Sequence, residues 1–143
     1  MIKEAPHIDV KDLLRHPKVW GMVSGDSQED FEITGRCFGY YRGDKLIAVL
    51  GCRPLSQILF DVHIAAHPDT WGCTKPILYS LGQYVFKNST CIKMVGFIPA
   101  YNKPAIAIAK RCGFKHEGTL TKSVVKGWKL HDQEIFGMSK GDA

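Results

Sequence analysis

The stretch NKPAIAIAKRCGFKHEG, residues 102–118, decides the fold, because it holds a helix with its start, its stop and the strand that follows. Asn102 can accept a hydrogen bond from an unpaired N–H of the first turn, and Pro104 suits that turn because its missing N–H is not needed there. Ala105, Ile108, Ala109 and Cys112 fall on one face at helical spacing. Gly113 is a natural stop, and Phe114–Leu120 then reads as a strand. Working upstream, the apolar run Cys91–Ile98 reads as a buried strand. Thr74–Lys87 changes to helical periodicity, with Pro76 in the first turn and Ile77, Leu78, Leu81, Tyr84 and Val85 as a broad apolar stripe. Gln57–Ala66 alternates: Ile58, Phe60, Val62 and Ile64 share one strand face, and Leu59, Asp61, His63 and Ala65 the other.

Outside this β-α-β-α-β block the signals are shorter. Asp9 reads as the cap of a short helix through Leu13 and Leu14, interrupted by Pro17. Val19, Trp20, Met22 and Val23 supply a second apolar patch before the turn-rich segment Ser24–Asp30, so two short N-terminal helices are expected. Phe31–Thr34 reads as a short strand. Cys37–Tyr41 and Lys45–Cys52 flank the glycine turn Arg42-Gly43-Asp44 and read as a hairpin. Val124–Leu130 and Glu134–Met138 read as further closing strands. Helices, antiparallel strands and then the β-α-β-α-β block imply an α+β fold with a mixed sheet, in one domain over residues 1–143.

Composition narrows the function classes. The 143 residues are 45% hydrophobic and 23% charged, which excludes a disordered chain, a collagen-like repeat and a coiled coil. A net charge of +5 favours anionic partners: nucleic acid, an acidic membrane surface or a phosphate-rich small molecule. Eight Lys/Arg against four Asp/Glu follow residue 102, so that segment carries +4 of the +5. No nucleic-acid motif accompanies it, and the aromatics are not interleaved at stacking spacing. A basic face that is solvated, or that meets a phosphorylated cofactor, is the better reading. The five cysteines are odd in number and contain no Cys-x-x-Cys, which fits buried thiols in a reducing compartment. The N-terminus lacks an apolar signal region, and no apolar run approaches the ~20 residues of a membrane span. A cytoplasmic protein with no membrane partner is expected. His63 and His67 stand four apart, ~13 Å along a strand, too far to share one metal ion.

The stretch at 102–118 resembles the C-terminal signature of the GNAT superfamily of N-acyltransferases: Asn-x-x-Ala/Ser, a helix, then Gly-Phe-x-x-Glu-Gly. Its wording is similar to the ribosomal-protein-acetylating branch. Gly127, Asp132 and the run from Phe136 to Lys140 resemble that branch's last strand. DVHIAAHPDTWG, from Asp61 to Gly72, resembles the strand and loop leading into the family's acetyl-CoA motif. The resemblance covers Cys37 to Lys140. It implies a central mixed, mostly antiparallel sheet splayed between the strands at 57–66 and 91–98, with acetyl-CoA in the V-shaped gap. The implied activity is direct transfer of an acyl group from a CoA thioester to an amine-bearing acceptor, protein or small molecule. A homodimer is compatible with it.

The resemblance also implies roles. A strand, a tight loop and a helix N-terminus collect backbone N–H groups that suit a pyrophosphate; here these are Trp71, Gly72, Cys73 and Thr74, with Lys75 adding a cation. The family pattern is Arg-Gly-x-Gly-x-Gly. Only Gly72 matches it: Thr74 replaces a glycine, and Pro76 removes a donor. Asp61 or His63 would accept the proton of the acceptor ammonium. Backbone N–H groups of Ile64, Ala65 and Ala66 would polarise the carbonyl and hold the pantetheine arm. Asn102 would contact the cofactor, which is compatible with its capping the helix. The family's tyrosine acid falls at Ile108 or Ala109 and is absent, leaving Tyr84 and Tyr101. A CoA thiol, with a pKa near the ~8.5 of cysteine, can leave without full protonation. The altered loop and missing tyrosine keep a second reading open, a binding or interaction module that retains the fold without catalysis.

Overall fold

Strand alternation and helical stripes both survive in the computed structural model, which describes residues 1–19, 35–69 and 74–141. The elements run β1 (Ile2–Glu4), α1 (His7–Leu14), β2 (Arg36–Arg42), β3 (Lys45–Pro54), β4 (Leu59–Ala66), α2 (Thr74–Asn88), β5 (Lys93–Pro99), α3 (Lys103–Arg111), β6 (Lys115–Lys126) and β7 (Lys129–Ser139). The strands form one sheet in the order β1-β2-β3-β4-β5-β7-β6. Every neighbouring pair is antiparallel except β4 and β5, which are parallel because α2 carries the chain back between them.

The main core lies under α2 and α3. Phe38, Leu50, Phe60, Val62 and Met94 of the sheet meet Leu81, Val85 and Phe86 of α2 and Ala109 of α3. Leu81 and Val85 are fully buried, and each such side chain contributes about 1.5–3 kcal/mol relative to exposure. The opposite face packs Val10, Leu13 and Val19 against Cys37, Tyr41, Val49 and Ala65. Gly39 permits this: a Cβ there would lie 2.3 Å from Leu46 Cδ1 and 3.2 Å from Ala5 Cβ. Cys37, Cys52, Cys91 and Cys112 are buried and free. Burial pushes the Cys52 thiol up to about 12.

Two expectations need correction, and one strand was not anticipated. Asp9 does not cap α1; Pro6 occupies that position with no side-chain hydrogen bond, and Asp9 lies in the first turn. Its Oδ2 instead accepts from the Tyr41 hydroxyl at 2.6 Å, tying α1 to β2. The closing region forms two long strands rather than three short ones. Gly127 (φ 60°) and Trp128 (φ 65°) make a tight turn inside the span read as one strand, while the polar break before Val124 is absorbed as a bulge, with Lys122 at φ 50°. β1 escapes a reading by pattern because it is only three residues long, held to β2 in the register Ile2↔Tyr40 to Glu4↔Phe38. The 42–45 hairpin is formed. The strand expected at Phe31–Thr34 and most of the second apolar patch, from Trp20 onward, lie outside the described residues; residues 17–19 are helical.

Candidate active site

β4 is the strand on which the site is built. It pairs with β3 along its length, from Pro54↔Phe60 to Ala48↔Ala66. Its pairing with β5 covers only Leu59↔Lys93, Phe60↔Met94 and Asp61↔Val95. Beyond Asp61 the two strands part, while β5 continues to Pro99 along β7. Peptide groups alternate sides along a strand. The Ile58 carbonyl accepts from Ile92 and Lys93, and the His67 N–H donates to Ile47 on the other side. Residues 60, 62 and 64 therefore turn their peptide groups toward β5, so Ile64 presents its own past the last paired residue. Ala65, also expected to contribute, turns its peptide toward β3 and buries its side chain on the α1 face. Ala66 has a polar interaction of its own.

Asp61 stands where the strands part. Its side chain points to the α1 face, 3% exposed. Arg53, directly across in β3, donates from Nη2 to Asp61 Oδ2 at 3.0 Å. His63, two residues on and on the same face, brings Nε2 to 3.6 Å from the same oxygen, with a side chain 75% exposed. Asp61 Oδ1 is buried and has no hydrogen-bond partner among the described residues. The expected pair is thus brought together but divided in character: the carboxylate is enclosed, and the imidazole is open to water. Arg53 is the residue that sequence reasoning missed. Alternation on β4 does not give the register that places residue 53 beside residue 61, so the pairing itself was needed to find it.

The far ends of the gap are helix starts. Asn102 caps α3, accepting from the Ala105 N–H at 3.3 Å, as its sequence position predicts. Its own N–H donates to the Pro99 carbonyl at 2.9 Å, which ties the cap to the end of β5. Thr74 opens α2, and Lys75 is exposed beside it. The Lys75 ammonium partly offsets the burial that raises the Cys112 thiol. Trp71, Gly72, Cys73 and the Thr74 side chain lie outside the described residues. Of the tyrosines considered as acids, Tyr84 turns to Phe38 in the main core, with ring centroids 5.7 Å apart. Tyr101 packs edge-on to His131, at 5.1 Å. Among the described residues, no group of three His, Cys, Asp or Glu could hold a metal ion.

The overall fold, a seven-stranded mixed sheet with helices, is shared with solved structures. The chain superposes on spermidine N-acetyltransferase from Vibrio cholerae, solved with CoA and spermine, at a TM-score of 0.77 with 14% identity, covering 99% of this chain and 96% of that one. It matches a probable acetyltransferase of the GNAT family from Chromobacterium violaceum at 0.74, with 15% identity over 99% and 87% of the two chains. The chain has the GNAT fold. A ribosomal-protein-alanine N-acetyltransferase from Brucella melitensis is similar at a TM-score of 0.70 and 14% identity, over 97% and 99% of the two chains. No known family profile and no curated protein matches the sequence. In this chain β4 and β5 are the strands that part, and α2 is the crossover between them. No described helix is long and apolar enough to cross a membrane.

Proposed function

We propose that the protein is an acetyl-CoA-dependent N-acetyltransferase that transfers its acyl group directly to an amine. The observation that carries this reading is the parting of β4 and β5 immediately beyond Asp61, with a buried carboxylate at the fork. Superposition over nearly the whole chain on N-acetyltransferases, one of them solved with CoA, supports it. In the transfer the amine nitrogen bonds to the thioester carbonyl carbon, the C–S bond breaks, and the thiolate leaves, taking up the proton that the nitrogen sheds as it becomes an amide. The amine must first be uncharged. His63, open to the acceptor side, takes the ammonium proton, and Asp61 behind it stabilises the imidazolium that forms. The Ile64 N–H, facing the gap, polarises the carbonyl. Trp71, Gly72, Cys73, Thr74 and Lys75 form the phosphate loop, and Asn102 holds the opposite wall.

Titration calorimetry of the full chain with acetyl-CoA and CoA tests the first step, and no binding at millimolar cofactor overturns the reading. An acceptor screen with labelled acetyl-CoA, spanning polyamines, aminoglycosides, lysine peptides and peptide N-termini, tests the second. His63→Gln lowers kcat/KM about 10²-fold or more if the imidazole is the base; full turnover in both His63→Gln and Asp61→Asn rejects the assignment. The Arg53–Asp61 ion pair favours one competing reading, a module that binds without catalysis. Cofactor binding with no turnover across the screen would select it.

A further inference from the structure

Arg53 has more hydrogen-bonding capacity than the fold uses. Its Nη2 donates to Asp61 Oδ2 at 3.0 Å, and more than half of the side chain is open to water. A guanidinium presents its donors in a flat fork, and here Nε and Nη1 have no partner among the described residues. His63 Nε2 stands 3.6 Å from the same Asp61 oxygen. The guanidinium and the open imidazole are therefore neighbours on one face of the sheet, with an enclosed carboxylate behind both. Gly51 completes the square, next to Arg53 along β3 and paired with His63 across it. A Cβ there would meet nothing nearer than Cys37 Sγ and the His63 carbonyl oxygen, both at 3.8 Å, so no side chain fills that corner. Exposure decides its charge: Asp61 is enclosed and Arg53 is not, so an approaching molecule meets the cation. Further along the same face, Lys93 and Glu117 are paired with each other.

We propose that Arg53 selects the acceptor: its fork holds the carboxylate of a free amino acid whose amine lies at His63. This rests on the acyl-transfer reading and names the acceptor class for it. A carboxylate takes two parallel N–H bonds from one guanidinium. In an α-amino acid the carboxylate is one carbon from the amine, a short separation that suits two protein groups standing on one oxygen. The ammonium proton goes to His63, the nitrogen bonds the thioester carbon as the C–S bond breaks, and the departing thiolate takes the second proton. Phe97 and Ile135, half-buried and paired across β5 and β7 on the same face, offer an apolar floor for the amino acid's side chain. A polyamine or a lysine-rich segment would instead bring further cations against Arg53. A phosphate at the start of α2 is out of its reach, because α2 begins beyond Ala66, ~17 Å along β4 from Asp61.

Binding and turnover are measured separately on the full chain. L-Leucine and L-phenylalanine are compared with 3-methylbutylamine and phenethylamine, which lack the carboxylate. Leucinamide and phenylalaninamide mask it as a peptide N-terminus does. Titration calorimetry in the presence of CoA is expected to show the amino acids binding about tenfold or more tightly than either analogue, with kcat/KM in the same order. Arg53→Gln, which keeps a donor for Asp61, removes that preference; Arg53→Lys, which keeps the charge without the fork, retains part of it. A merely structural role for Arg53 would move all acceptors alike and leave the ratio between them unchanged. Circular dichroism confirms that each variant is folded. Arg53-dependent binding of the amino acids with no acylation refutes the transfer reading and keeps Arg53 as a carboxylate site. Amines acylated with no preference for the carboxylate overturn the proposal and leave the transfer standing. It is also overturned if the amino acids do not bind, or if Arg53→Gln keeps the wild-type ratio.

Discussion

Replacing Arg53 with alanine leaves the Asp61 carboxylate enclosed without the one cation that hydrogen-bonds to it among the described residues. Removing a partner from a fully buried pair costs about 3–5 kcal/mol. Here the Asp61 side chain is 4% exposed but that of Arg53 is 59% exposed, so the pair is buried on one side only. Water screens the guanidinium, and a hydrogen bond to a charged group is worth about 1.5–3 kcal/mol. The expected loss is therefore about 2 kcal/mol, or about 6 °C in Tm for a chain of this size. Asp61→Asn behaves differently: it keeps the shape and an acceptor for Arg53, and it removes a charge that burial opposes. It should change stability by less than about 1 kcal/mol. In that background Arg53→Ala should cost no more than about 0.5 kcal/mol, because no buried charge is left behind. Urea denaturation of the four proteins, followed by circular dichroism, gives the coupling directly. If Arg53→Ala costs the same whether residue 61 is Asp or Asn, the ion pair is not what holds the carboxylate, and the geometry at the fork has been misread.

Tyr41→Phe removes the 2.6 Å hydrogen bond to Asp9 and should cost about 1.5–2 kcal/mol, seen as a lower urea midpoint at unchanged slope. Asn102→Ala removes the α3 cap and should cost about 1 kcal/mol, with a larger loss of acetyl-CoA affinity if Asn102 also touches the cofactor. Burial, aided by Lys45 and His16 and opposed by Asp69, holds the His67 imidazole below its ordinary pKa. The fold thus favours neutral His67: its contribution is complete above about pH 6.5 and is lost as pH falls toward the lowered value. Stability measured by urea from pH 7.5 down to 5 should show a decline that His67→Gln flattens, and an unchanged slope would refute this assignment.

Legibility followed the length of each signal. α2 and α3 were readable because each has a proline in its first turn and an apolar stripe, and the structure places Asn102 and Gly113 (φ 97°), the cap and stop read for α3, at its two ends. β4 was readable from alternation alone, which also placed Asp61 and His63 on one face. What a one-dimensional pattern could not show was which residue lies across from which. Arg53 became visible only with the register, and so did the recruitment of Asp9 by Tyr41, 32 residues away. The closing strands were misdivided for a related reason. A polar break such as Thr121-Lys122-Ser123 reads the same whether the chain turns or bulges, and only the partner strand decides between them.

The gap between β4 and β5 is imposed by their outer neighbours. β3 holds β4 over seven register pairs, and β7 holds β5 over seven, while β4 and β5 share only three. Closing the gap would mean breaking one of the longer ladders to lengthen the shorter, with the α3 cap at Asn102 anchoring the end of β5 against such a shift. The fork is therefore a property of the sheet, present before any ligand arrives, and Asp61 is the last residue of β4 whose backbone is shared by both ladders. A carboxylate there, bonded to Arg53 on one oxygen and without a partner among the described residues on the other, stands on a strand paired on both sides. Chemistry that needs an imidazole held against one fixed carboxylate, beside one open strand edge, is what such a position can serve.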